Sequence, residues 1–156
     1  MPKQVLPEEF LKQAQHLPII DVRSPAEWEQ GHIPGSFNIP LFTNEERKKV
    51  GTRYKQSGKE NAVDLGLEIV GPKLASFVKQ AKKLAKNKEV LVHCWRGGMR
   101  SGSMAWLFET AGIKTSILKG GYKNYRNYIR NQFAEPVHLI VLGGRTGCGK
   151  TDILKV

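Results

Sequence analysis

The sequence predicts an α/β fold: a central, mostly parallel sheet of about five strands with helices on both faces. Three observations lead there. Short apolar runs at 18–22, 36–40, 89–93, 114–118 and 137–142 have the length of buried strands. Helical periodicity fills most of the gaps between them, and strands separated by helices pair in parallel. The 156 residues, 40% hydrophobic and 25% charged, suffice for one core and leave little for a second.

Each element has a local reason. Residues 7–15 carry Phe10, Leu11 and Ala14 at helical spacing. Ser24-Pro25-Ala26-Glu27 combines an N-cap, a proline at the first helical position and a glutamate three residues on, a capping box that opens a short helix ending at Gly31. Residues 44–70 are polar and then mixed, and read as helix broken at Gly51, Gly58 and Gly66. Pro72 opens an amphipathic helix through Leu74, Phe77, Val78, Ala81, Leu84 and Ala85, closed at Asn87. Helices follow at 101–111, closed by Gly112, and at 122–133 after the Gly120-Gly121 turn. On the last of these, Tyr122, Tyr125 and Tyr128 fall on or near one face and are expected to pack against the sheet.

Composition narrows the function. No apolar run approaches the ~18 residues of a membrane span, and nothing at the start reads as a signal peptide. Two cysteines, Cys94 and Cys148, cannot make a disulfide scaffold. The expectation is a soluble, cytoplasmic protein in which a thiol is free to react. The charge is uneven: residues 1–78 balance ten bases with ten acids, while 79–156 hold fifteen bases and four acids, the whole net +11. That points to a polyanionic partner, RNA before membrane, because no apolar amphipathic face accompanies the charge. Lys79, Lys82, Lys83 and Lys86 account for part of it as a solvated helix face.

The chemistry-bearing stretch is His93-Cys94-Trp95-Arg96-Gly97-Gly98-Met99-Arg100-Ser101. A buried strand delivers Cys94 to its C-terminal end, and a glycine-bearing loop leads into a helix. There the loop amides and the positive end of the helix dipole favour thiolate over thiol. Gly97 and Gly98 let the backbone curl, and Arg96 and Arg100 add positive charge near the sulfur. Cys94 is the candidate nucleophile, and Trp95, Arg96, Gly97, Gly98, Met99 and Arg100 form its oxyanion-binding cradle. His93 reads as a structural hydrogen bonder. The Cys-x5-Arg spacing is shared with cysteine phosphatases, whose leaving group needs an acid; Asp64 is the one free candidate.

These residues resemble the rhodanese family. Residues 21–40 (DVRSPAEWEQGHIPGSFNIP) look like its N-terminal motif, and Leu118-Lys119-Gly120-Gly121-Tyr122 like its C-terminal one, with Tyr125 near the usual aromatic. Asp21 with Arg23, and the turn at 31–35, read as scaffold. The Cys94 loop, the insertion 44–56 (NEERKKVGTRYKQ) and the order of parts resemble, more narrowly, the tRNA 2-selenouridine synthase family. That resemblance implies replacement of the 2-thio group of a tRNA wobble uridine by selenium from selenophosphate. It further implies a geranylated intermediate made with geranyl diphosphate, Cys94 as the catalytic residue and tRNA as partner. No metal or tightly bound cofactor is expected. A generic rhodanese sulfurtransferase, or a cysteine phosphatase or arsenate reductase on the same scaffold, is the alternative.

Gly144-Arg145-Thr146-Gly147-Cys148-Gly149-Lys150-Thr151 fits the P-loop pattern. A strand at 137–142 would precede it and a helix would follow. Gly144, Gly149, Lys150 and Thr151 are its expected phosphate binders, for a nucleotide or a diphosphate. The expected division is a rhodanese-like domain over 1–134, ending at Ala134-Glu135-Pro136, then the first strand and P-loop of an NTPase-like domain over 135–156, cut short, with the rest of that domain missing.

Overall fold

The computed structural model describes residues 2–134 and 141–153. Five strands form one parallel sheet in the order β1-β5-β4-β2-β3. They are β1 (Lys3–Val5), β2 (Ile19–Asp21), β3 (Phe37–Asn38), β4 (Glu89–His93) and β5 (Lys114–Leu118). The helices are α1 (Pro7–Gln13), α2 (Pro25–Glu29), α3 (Asn44–Val70), α4 (Leu74–Leu84), α5 (Met99–Thr110), α6 (Gly121–Ala134) and α7 (Lys150–Ile153).

Four of the predicted strands are present, and the fifth position is filled differently. Lys3–Val5, which the sequence did not announce as a strand, pairs with β5 at the sheet edge, Lys3 beside Ser116. Of the strand expected at 137–142, residues 137–140 lie outside the described residues, as do Glu135 and Pro136 of the expected boundary, and Val141 and Leu142 are not in a strand.

Alternation along the strands builds two cores. Ile20, Val22, Val90 and Val92 face α4 and α5 through Phe77, Ala81, Met104 and Phe108, with Phe42 beside them. Ile19 and Leu91 face the other way, towards Phe10 of α1 and Tyr122 of α6. Tyr125 packs against that second core as expected. Leu91 and Val92 are central and fully buried on opposite faces, so the helices do lie on both sides.

Two expectations about breaks are corrected. The helix over 44–70 kinks only at Gly58 (φ +83°), while Gly51 and Gly66 stay helical. Pro72 sits in a 3-10 turn, Gly71–Lys73, and α4 begins at Leu74. The Ser24 capping box forms, its backbone N–H donating to Glu27 Oε2 at 3.0 Å.

Candidate functional site

Strand β4 ends at His93, and Cys94 is the next residue, at the C-terminal edge of the sheet. The loop to Gly98 turns the chain into α5. Two tight contacts fix its shape. A Cβ on Gly97 (φ +65°) would lie 2.7 Å from the Leu118 carbonyl oxygen, and one on Gly121 (φ +62°) would run into the Cys94 carbonyl. Glycine at both places lets the loop lie directly on the start of α6. The Tyr122 N–H donates to the Cys94 carbonyl at 2.9 Å, and the Lys123 N–H to that of Trp95 at 3.0 Å.

Cys94 is 3% exposed and lies 3.2 Å from Ser101 Oγ. Burial pushes its thiol pKa up. The Ser101 hydroxyl and N–H, the Arg100 charge and the Arg96 N–H pull it down, and the net result lies below the ordinary value. The Ser101 hydroxyl is the hydrogen bond that the geometry shows, and the amides of Ser101 and Arg96 add to the downward pull on the thiol. Ser101 carries the larger part, and its hydroxyl has a second acceptor in the Gly98 carbonyl at 3.1 Å.

Arg100 does not face the sulfur alone. Its guanidinium grips Glu27 at 2.7 and 3.2 Å. Burial alone would raise the Glu27 pKa; hydrogen bonds from Arg100 and Ser24, with the nearby Arg47, hold it at about 2 instead. Glu27 therefore ties α2 to α5, and Arg47 of α3 approaches it at 3.8 Å. Sequence reasoning assigned neither Ser101 nor Glu27 a role at this site. Ser101 stood seven residues from the cysteine, one helical turn into α5; Glu27 stood within the capping box, which is a sufficient local explanation and hides a second one.

Trp95, Arg96, Gly98, Met99 and Arg100 join Cys94 in lining a cavity of about 740 Å³. Gly97 is not among its walls. The opposite wall is α3, with Val50, Tyr54, Lys55, Lys59, Ala62 and Val63. Among the described residues no Asp or Glu lines the cavity, and Asp64 is exposed and outside it.

On the other face of the sheet lies the scaffold. Arg23, 1% exposed, pairs with Asp21 at 2.6 Å, donates to the Gly31 carbonyl at 2.8 Å and stacks over Tyr122 at 4.0 Å. His93 departs from expectation: neither ring nitrogen has a hydrogen-bond partner among the described residues, and Asp21 Oδ2 lies 3.6 Å from Nε2.

The P-loop residues are grouped apart from this chemistry. Lys150 Nζ donates to the Gly144 carbonyl at 2.8 Å and to that of Arg145 at 2.6 Å, within its own turn. Thr151 is exposed in α7, and Gly149 has φ +81°. Cys148 is exposed.

The rhodanese-like domain family matches residues 6–128. The chain belongs to the rhodanese family.

The relatives of this rhodanese chain are narrower in kind. It is 42% identical over 151 residues to a tRNA 2-selenouridine synthase of Bdellovibrio bacteriovorus, covering 90% of this chain and 38% of that protein. It is 39% identical over 164 residues to the tRNA 2-selenouridine synthase of Shewanella denitrificans, covering all of this chain and 44% of the relative. Among solved structures it matches the N-terminal domain of a candidate ATP/GTP binding protein from Clostridium difficile 630. That match has TM-score 0.76 and 40% identity, and covers 81% of this chain and 98% of that one. The chain spans about two fifths of the length of the curated relatives it matches.

Proposed function

We propose that this chain is the chalcogen-handling rhodanese part of a tRNA 2-selenouridine synthase. The observation that carries the reading is the position of Cys94: a buried sulfur, its thiol pKa lowered, lining a large cavity whose far wall is the 44–70 helix. In this mechanism the Cys94 thiolate attacks the terminal chalcogen of its donor. This step takes a donor whose outer chalcogen is zero-valent, as in thiosulfate: a sulfur–selenium or sulfur–sulfur bond forms, the donor's bond to that chalcogen breaks, and the remainder, sulfite in that case, leaves with the electron pair. The Cys94 perselenide or persulfide is anionic, and the Arg96 and Ser101 N–H groups with the Ser101 hydroxyl are the donors available to it. Selenophosphate, whose selenium is already at the selenide level, is the selenium source for the tRNA itself: its selenium bonds to C2 of the wobble 2-thiouridine as the bond to the 2-sulfur substituent breaks, and hydrolysis of the phosphorus–selenium bond releases phosphate. Val50, Ala62, Val63 and Met99 give the cavity an apolar side suited to the chain of a geranylated intermediate. The Gly144–Thr151 turn opens a phosphate-binding domain that completes the enzyme, with Gly144, Gly149, Lys150 and Thr151 as its contacts to a diphosphate or nucleotide.

Cys94→Ala in the full-length protein removes selenium from tRNA while circular dichroism and melting stay close to wild type. Nucleoside analysis of bulk tRNA by mass spectrometry reads this, and normal selenouridine in the variant rejects the assignment. The phosphatase alternative fits less well: among the described residues no carboxylic acid lines the cavity to protonate a leaving oxygen, and Arg100 is already held by Glu27. A generic sulfurtransferase uses the same Cys94 chemistry. Rapid sulfur transfer to cyanide with no effect of tRNA distinguishes it.

A further inference from the structure

We infer that residues 47–59 of α3 form an RNA-binding face that hands one nucleobase to the Cys94 cavity. The inference rests on the tRNA reading above for the identity of the polyanion, and on α3 for its location.

The stretch holds Arg47, Lys48, Lys49, Arg53, Lys55 and Lys59 and no carboxylate. It belongs to the half of the chain whose net charge is zero, so composition by halves hides it. From 52 to 61 every residue is exposed although the backbone is helical on both sides of the Gly58 kink. A helix that buries no side gains little from packing, and this one is built as a surface for something else. Its cations are available. Arg53, Lys55 and Lys59 make no ion pair among the described residues, whereas Glu46 at the start of α3 is engaged by Lys73.

Position separates this cluster from the other basic surface. Lys79, Lys82 and Lys83 of α4, and Lys86 just beyond it, are also exposed, but none lines the cavity. Lys55 and Lys59 line it, together with Arg96 and with Arg47 and Arg100, the two that Glu27 pairs, and no Asp or Glu is among the described residues of its lining. Tyr54 sits between Arg53 and Lys55, 57% exposed, and also lines the cavity. An aromatic ring flanked by cations at the mouth of a reactive pocket is the arrangement that holds a single strand: phosphates on the bases, one unstacked base on the ring. A membrane is the poorer partner, because Val50, Ala62 and Val63 turn inward to the cavity.

The test is fluorescence anisotropy of a labelled tRNA transcript with a wobble uridine, bound to the 156-residue chain across a range of salt. Replacing Arg53, Lys55 and Lys59 together by Gln weakens binding at least tenfold and lowers the slope of log K against log salt by about two to three. Tyr54→Ala, which keeps every charge, weakens binding about tenfold and leaves the slope alone. Replacing Lys79, Lys82 and Lys83 together by Gln changes binding less than about twofold. Wild-type affinity and slope in the α3 triple variant, or a loss confined to the α4 triple variant, overturn the α3 assignment while leaving the tRNA reading in place. A wild-type chain that binds no tRNA yet passes sulfur from thiosulfate to cyanide overturns both.

Discussion

At the scale of single residues, the site turns on one hydroxyl hydrogen. Ser101 Oγ lies 3.2 Å from Cys94 Sγ and 3.1 Å from the Gly98 carbonyl, and it has one proton to offer. As a thiol, Cys94 can itself donate to Oγ; as a thiolate it can only accept. The thiolate therefore draws the hydroxyl towards itself. Ser101→Ala removes that donor, and a hydrogen bond to a charged acceptor contributes roughly 1.5–3 kcal/mol. The midpoint of Cys94 alkylation against pH is expected to rise by about one unit in this variant. An unchanged midpoint assigns the low thiol pKa to the amides and Arg100 alone. Cys94 was legible in the sequence because strand, cysteine, paired glycines and helix coincide. The Glu27–Arg100 grip was not, because it joins residues 73 apart and no local pattern encodes that.

Elements place the site through contacts that allow no side chain. At Gly121 an added methyl would meet the Cys94 carbonyl and lie 2.5 Å from the Gly97 nitrogen and 2.8 Å from that of Arg96, all of them backbone. At Gly58 the φ is also positive, but nothing lies within 4 Å. Gly58→Ala therefore costs only its backbone conformation, φ +83° with ψ −178°, a region almost confined to glycine, about 1–3 kcal/mol. Gly121→Ala adds a clash that only backbone movement can relieve, and is expected to cost at least about 3 kcal/mol. Thermal melting of the two variants checks the order, and equal losses would mean that the Cys94 loop shifts at no cost. Helices α1 and α4 were readable from apolar spacing, α2 from its capping box and the strands β2 to β5 from their length. The breaks were over-read: Gly51 and Gly66 have ordinary helical backbone, since glycine permits a break without requiring one. Strand β1 escaped notice because Lys3 and Gln4 are exposed and only Val5 is buried, too short a run to show alternation.

Across the whole molecule, the buried polar set beneath the sheet makes stability depend on pH. Burial pushes the His93 imidazole down to about 4, with Arg23 adding to the effect and Asp21 opposing it. The unfolded chain takes up a proton near 6.5 that the folded chain refuses. The stability is complete above that value and is lost as pH falls towards 4, by up to about 1.4 kcal/mol per pH unit. His93→Leu flattens this part of the profile, and because neither ring nitrogen is bonded the substitution leaves little unsatisfied behind. Urea denaturation between pH 7 and 4 compares the two proteins, and parallel curves would place the acid sensitivity elsewhere. Charge at this scale was legible only in part: the sum by halves pointed to the C-terminal side, whereas the cations that line the cavity come from both.

The sheet edge has a consequence for how the chain is made. Lys3 to Val5 are made more than a hundred residues before their partners, Ser116 to Leu118, which come only after most of the domain. Until then Phe10 lacks the Leu118 and Tyr122 neighbours of its core. Closing so long a loop is slow and comes late. The nascent polypeptide thus carries an unmatched edge and an uncovered aromatic through most of its synthesis, which makes this the interval in which a chaperone has something to hold.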